Sequence, residues 1–412
     1  MKQKQNKISR RNFLKTAGAA GIGSVFASSD TLRALEKTNA ATKEQKPKYP
    51  QVPKRKLGKT NIKVPSLSFG TFMVDLANQI LLRKTLQHGI NLWDTAYNYG
   101  GGNSEIGIGK FLSKNPEVRK NILLGTKASG AAVPADIEKR LQKSLKRLKT
   151  DYIDLFYGIH QCYSPAYLTK ELRAWVEDAK ERKLIRLFGV STHQNMTELL
   201  NAAARLDWID FMMIPFNVRL MQDKKLNAAI DASHKAGTGL IAMKTQGFGP
   251  RTDVRQEEKL IQHFQQRGFT RGQAKLKFVL EDKRFSSACV GMQNVTHLNS
   301  NVAAVLDKTK LTHADMQVLN EYARAACTGY CAGCAHICDS ALPDTPYVSD
   351  IMRYLMYYNS YGERGRAREL FAQIPGKVRN KLLSTDYSPA EARCPQHLPI
   401  GRLVAEAVKK LA

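Results

Sequence analysis

The chain predicts a parallel (β/α)8, or TIM, barrel followed by a small, mainly helical C-terminal domain. Eight short apolar runs, SLSFG, INLWD, NILLGT, YIDLFYGIH, IRLFGVS, IDFMMIPFN, GLIAMK and SACVG, recur with helical segments such as 136–148 and 168–182 between them. Parallel strands need crossover connections of this kind, and eight of them close a sheet. No glycine-rich phosphate loop follows the first run, which weighs against an open doubly wound sheet. The glycines of GGNSEIGIG come after the second run, where they suit a loop and a helix start. Asp94, Lys127 and His160 each close a run, the place where a barrel keeps its chemistry.

In chain order, residues 1–27 are not fold. Arg10 and Arg11 sit in SRRNFLK ahead of the weakly apolar TAGAAGIGSVFA, which resembles the twin-arginine export signal. That run is too short and glycine-rich to span a bilayer. It implies passage through the twin-arginine translocase as a folded protein, to a periplasmic or other extracytoplasmic location. Residues 28–53, with Pro47, Pro50 and Pro53, read as a linker. The barrel is expected over 54–310 and the C-terminal domain over 311–412. With 412 residues and 43% apolar composition, one barrel and one appendage account for the length.

The formal charge is +28, of which the signal contributes Lys2, Lys4, Lys7, Arg10, Arg11 and Lys15 and no acid. Such a balance raises nucleic acid as a partner. Yet the cations are spread along amphipathic stretches such as DIEKRLQKSLKRLK, so solvated helix faces and a phosphate-bearing cofactor are the reading, with no nucleic acid expected.

Asp94 and Tyr99 in NLWDTAYNYG, Lys127 in LLGTK and His160 in IDLFYGIH are the side-chain types that carbonyl reduction needs. Hydride arriving at a carbonyl carbon leaves an alkoxide that must be stabilised and protonated. Their order and contexts resemble the aldo-keto reductase family from about Lys54 to Val305, including the hairpin-like RKLGKTNIKVP at the start. The resemblance implies Tyr99 as the acid, Lys127 as the ammonium beside it, Asp94 as the partner of Lys127, and His160 as the group that orients the carbonyl oxygen.

It also implies a nicotinamide cofactor, NADP or NAD. Ser191 matches the family's amide-binding serine, whereas Thr192 stands where Asn is usual and Met213 where Gln is usual. Phe216 matches the stacking ring, and Lys244 lies on the loop approaching the pyrophosphate. Asn301 matches the adenine-facing position, while Gly291 and His297 stand where the family places cations that read the 2′-phosphate.

Five of the seven cysteines, Cys327, Cys331, Cys334, Cys338 and Cys394, follow residue 320. Their spacing resembles a bacterial ferredoxin tail and implies one [4Fe–4S] cluster held by Cys331, Cys334 and two of the other three. Four-thiolate zinc and disulfides are the alternatives. Cys162 and Cys289 read as buried small residues. The reading is an oxidoreductase acting on an aldehyde, ketone or alcohol, sugars included. A redox relay that holds a nicotinamide and passes electrons through the tail to a partner is the alternative.

Overall fold

Each of the eight apolar runs becomes one strand of a closed parallel barrel. The structure is a computed structural model describing residues 48–412, except 74–78, 247–253, 328–330, 332–334, 346, 362–363 and 395–396. The export signal and most of the expected linker therefore lie outside the described residues. An antiparallel hairpin, β1 (Lys54–Lys56) and β2 (Lys63–Pro65), precedes the barrel. The barrel strands are β3 (Leu67–Gly70), β4 (Leu92–Asp94), β5 (Leu123–Ser129), β6 (Ile153–His160), β7 (Ile185–Ser191), β8 (Phe211–Pro215), β9 (Gly239–Met243) and β10 (Ser287–Gly291). They close in the order β10-β3-β4-β5-β6-β7-β8-β9.

These strands are apolar on both faces because both are covered. Leu92, Leu123, Leu155, Tyr157, Leu187, Phe211, Met213 and Ile241 fill the interior. Their alternates, among them Trp93, Leu124, Phe156, Phe188, Met212 and Leu240, pack under the surrounding helices. The helix Pro134–Leu148 shows how the basic stretches are used. It buries Ile137, Leu141, Leu145 and Leu148 and leaves its lysines outside. Pro134 opens it and left-handed Lys149 ends it. Thr169 and Asp223 cap the helices Lys170–Glu181 and Lys224–Lys235, and Thr270 with Gln273 forms a capping box on Arg271–Glu281. Each cap contributes about 1 kcal/mol.

The hairpin plugs the N-terminal mouth: Leu57 and Val64 join the interior cluster, and the Arg55 guanidinium donates to the Phe285 carbonyl at 2.8 Å. Gly58 makes the turn at φ +53°, where an added Cβ would lie 2.2 Å from the Gly237 carbonyl oxygen.

At the other end of the chain, the helix His313–Cys327 packs on the barrel: Leu319 and Tyr322 share a cluster with Val218, Leu260 and Phe264. The helices Ala335–Ala341, Val348–Met356, Arg364–Ala372, Gly376–Arg379, Ser388–Arg393 and Ile400–Leu411 follow. They build a separate core around Ile351, Phe371, Leu382, Ala390 and Val404. This second core leans on the loop after β7, where Gln194 Nε2 donates to Asp350 Oδ1 at 3.2 Å.

Gly58→Ala is expected to destabilise the protein by about 1–3 kcal/mol, because strain at a left-handed residue adds to a backbone clash. Urea unfolding checks this, and an unchanged midpoint would mean the hairpin does not seal the barrel as described.

Candidate active site

Strand register brings the predicted residues to one mouth of the barrel. Asp94 ends β4, and its row continues to Gly125 on β5. Lys127 pairs with Tyr157, and then the register shifts so that Ser129 meets His160. His160 pairs with Ser191, and Ser191 with Met213. On β6 Leu155 and Tyr157 point inward, and Ile159 packs outside. The irregularity between Tyr157 and Ile159 is what turns His160 back toward the axis.

The Lys127 ammonium, 1% exposed, is ion-paired with Asp94 Oδ2 and donates to the Thr95 carbonyl at 2.6 Å. Tyr99 starts a 3-10 turn, Tyr99–Gly102, whose three glycines all have positive φ. Gly102 lies against the Arg147 guanidinium, where a Cβ would sit 2.5 Å from Cζ. Arg147 donates to the Tyr97 carbonyl at 2.8 Å and to buried Glu105 at 3.0 Å, clamping the turn. The Tyr99 ring then lies with Lys127 Nζ 5.0 Å from its centroid and Phe72 edge-on at 5.0 Å. His160 Nδ1 is 2.7 Å from Ser191 Oγ.

The electrostatics follow from burial and charge. Burial pushes Tyr99 up to about 12 against the pull of Lys127, so the phenol stays protonated at neutral pH, as a proton donor must. Burial alone would lower Lys127, yet Asp94 and then Tyr99 raise it above its ordinary value, and it remains charged. Burial, followed by Lys127, Arg353, Arg366 and Lys244, holds His160 well below the usual histidine range.

Tyr99, Lys127, Asp94, His160 and Ser191 thus converge. Thr192 is buried but turns back on its own loop, donating to the Gln194 carbonyl at 2.6 Å. Met213 presents a thioether to the interior. Phe216 does not join the site, a correction to the expected stacking ring: it stacks on Phe285 at 4.6 Å and Phe278 at 5.8 Å beneath the outer helices. Strand parity explains this, since Phe211 and Met213 face inward and Phe216 therefore faces out. Lys244 Nζ lies 5.1 Å over the Tyr357 ring of the C-terminal region. Asn301 is buried and accepts from Gln246 Nε2 at 2.7 Å, whereas Gly291 and His297 are exposed at the end of β10 and on the following helix.

Sequence reasoning missed His193, whose ring centroid is 6.5 Å from that of His160 and whose Nδ1 is buried without a hydrogen-bond partner. It also missed Phe72, Arg353 and Arg366, which no local motif marks. Among the cysteines, Cys338 and Cys394 are buried and Cys331 is packed against the same C-terminal core. Cys334 and the Cys327 side chain lie outside the described residues. Among the described residues no group of three His, Cys, Asp or Glu side chains forms a metal site. Cys162 and Cys289 are buried.

Comparison with known proteins places this geometry. The model of the aldo/keto reductase family matches residues 66–324, and that of the twin-arginine translocation pathway signal sequence matches residues 7–27. The chain belongs to the aldo/keto reductase family, whose members are nicotinamide-dependent oxidoreductases, and it carries a signal for export through the twin-arginine pathway. It is 25% identical over 329 residues to L-glyceraldehyde 3-phosphate reductase of Escherichia coli O157:H7, covering 66% of this chain and 92% of that protein. It is 24% identical to L-galactose dehydrogenase of Arabidopsis thaliana, covering 65% and 92%. The fold matches aldo-keto reductase AKR11C1 from Bacillus halodurans with a TM-score of 0.55 at 22% identity, over 67% of this chain and 98% of that one. The family match ends at residue 324, ahead of the five clustered cysteines.

A histidine held neutral in the fold but protonated when unfolded makes stability fall as pH drops below the unfolded pKa. His160 and His193 are both lowered, by burial first. The lowered carboxylates Glu138 and Asp315, at about 2, act only in more acidic solution. Stability should therefore decline between about pH 6.5 and pH 5, by up to about 1.4 kcal/mol per pH unit for each histidine. Urea titrations of the wild type and of His160→Gln,His193→Gln test this, and equal slopes would contradict it.

Proposed function

We propose that this protein is an exported carbonyl reductase that moves hydride between a nicotinamide cofactor and an aldehyde, ketone or alcohol, working outside the cytoplasm. The observation that carries this reading is the buried Lys127–Asp94 pair set under the Tyr99 ring at the mouth of the barrel. The cofactor, when bound, supplies or accepts the hydride. Ser191 would hold its amide, and the segment from Gly291 to Asn301 its adenosine end. His193 Nδ1, buried at the mouth with no partner, is a polar atom that fits a bound polar ligand. With Gly291 and His297 in place of cations, discrimination between NADP and NAD is weak.

Tyr99 gives its proton to the carbonyl oxygen as charge develops there, and Lys127 stabilises the phenolate left behind. Asp94 and the Thr95 carbonyl keep Lys127 charged and aimed. His160, neutral and set by Ser191, donates to the oxygen and orients the carbonyl. The names of the relatives, a triose phosphate reductase and a sugar dehydrogenase, support a sugar-like substrate.

Tyr99→Phe should lower carbonyl reduction by about 10²–10⁴-fold while NADPH binding changes little. Steady-state turnover and cofactor fluorescence measure the two, and wild-type turnover in the variant would remove Tyr99 as the acid.

We further propose that the C-terminal region holds one [4Fe–4S] cluster through Cys331, Cys334 and two of Cys327, Cys338 and Cys394. The ferredoxin-like spacing of the cysteines supports this, and Cys338 and Cys394 lie in one small core with Cys331 packed against it. Thiolates there are the soft donors such a cluster takes. Export of the folded chain would let it leave with the cluster in place. Protein purified without oxygen should contain about four iron atoms per chain and lose them in Cys331→Ser,Cys334→Ser. Zinc, or no metal at all, would refute this assignment.

A further inference from the structure

The C-terminal helices bring guanidinium groups to the catalytic mouth, beyond the stretch that matches the family. Arg353, on Val348–Met356, has a side chain only 8% exposed and pairs with Asp350 at 2.8 Å. Asp350 also accepts from Gln194, three residues past the Ser191 that touches His160. Arg353 is thereby fixed to the loop that forms one wall of the site. Arg366, on Arg364–Ala372, lies with Cζ 4.9 Å over the Phe72 ring, and Phe72 is the ring that packs edge-on against Tyr99. The charges acting most strongly on His160 are Lys127, Arg353, Arg366 and Lys244, all cations.

Reduction of a neutral carbonyl asks for a proton donor and one ammonium, which Tyr99 and Lys127 already supply. Arg353 and Arg366 add two guanidinium groups near His160 that this step does not use. A guanidinium presents a planar fork of donors matched to carboxylate and phosphate oxygens, and such charge-assisted contacts discriminate strongly against neutral analogues.

We propose that Arg353 and Arg366 form a subsite for an anionic group, carboxylate or phosphate, carried by the carbonyl substrate, so that the C-terminal region selects acidic aldehydes or ketones. This rests on the reductase reading for the carbonyl and adds the chemistry of the rest of the substrate. It assigns to the C-terminal region a direct part in specificity.

The test uses the full-length protein. With NADPH, kcat/KM is compared for 4-carboxybenzaldehyde and benzaldehyde, and titration calorimetry compares benzoate with its neutral counterpart benzamide. The wild type is expected to favour the anion in both pairs by at least about tenfold. Arg366→Met and Arg353→Met should each cut that ratio by about tenfold or more, and Arg366→Lys should keep part of it. NADPH affinity should stay within about twofold of wild type in all three variants. No anion preference in the wild type overturns the proposal, whichever variants fold. Equal losses on both aldehydes overturn it too, because the arginines would then serve the reaction and not recognition. Weakened NADPH binding with an unchanged ratio would assign them to the cofactor pyrophosphate instead. If neither aldehyde is reduced but benzoate still binds preferentially and loses that preference in the variants, the subsite stands and the reductase reading fails.

Discussion

The ion pair between Lys127 and Asp94 is the constraint on which the mouth of the barrel depends. Both groups are buried inside a ring of strands, where stripping water from them costs several kcal/mol. The charge on Lys127 survives because it is held twice, by the carboxylate and by the Thr95 carbonyl. Neither contact would exist without the register that sets β4 against β5. Removing either partner would leave the other's charge buried and unpaired, so the geometry of the site and local stability rest on the same two residues.

Around this pair the loops are braced from behind. The Thr71 hydroxyl donates to the Asp94 carbonyl, and Ser104 donates to the Thr71 carbonyl while sitting 2.8 Å from Thr95 Oγ1. The loops after β3 and β4 and the helix Asn103–Lys114 are thereby one hydrogen-bonded unit. Arg147 and Glu105 add a buried ion pair that reaches the turn carrying Tyr99. Buried polar groups satisfied in this way cost little and allow few alternative arrangements.

The C-terminal region is more than an appendage beside the barrel. Its core holds Cys338 and Cys394 together with Leu355 and Tyr357, and Tyr357 lies under Lys244 next to the mouth. The cysteine-bearing core and one wall of the mouth therefore share the helix Val348–Met356.

The strands were legible because a parallel barrel buries both faces of each strand, which forces unbroken apolar runs on the sequence. The same runs placed Asp94, Lys127 and His160 at the strand ends, and their residue types announced the chemistry. Strand parity, also present in the sequence, would have excluded Phe216 from the site. The inward turn of His160 depends on a register irregularity at Gly158, and a glycine inside a strand is the one local mark of it. Arg353 and Arg366 left no such mark: on their helices they look like ordinary amphipathic cations, and only the packing of the C-terminal helices against the loops after β3 and β7 sets them near the mouth. The sequence by itself determined the barrel, the export signal and the residue types at the strand ends, because these depend on periodicity and local order. Only the tertiary structure decided which polar groups share the site, because contacts between distant segments follow from register and helix docking, which local order does not fix.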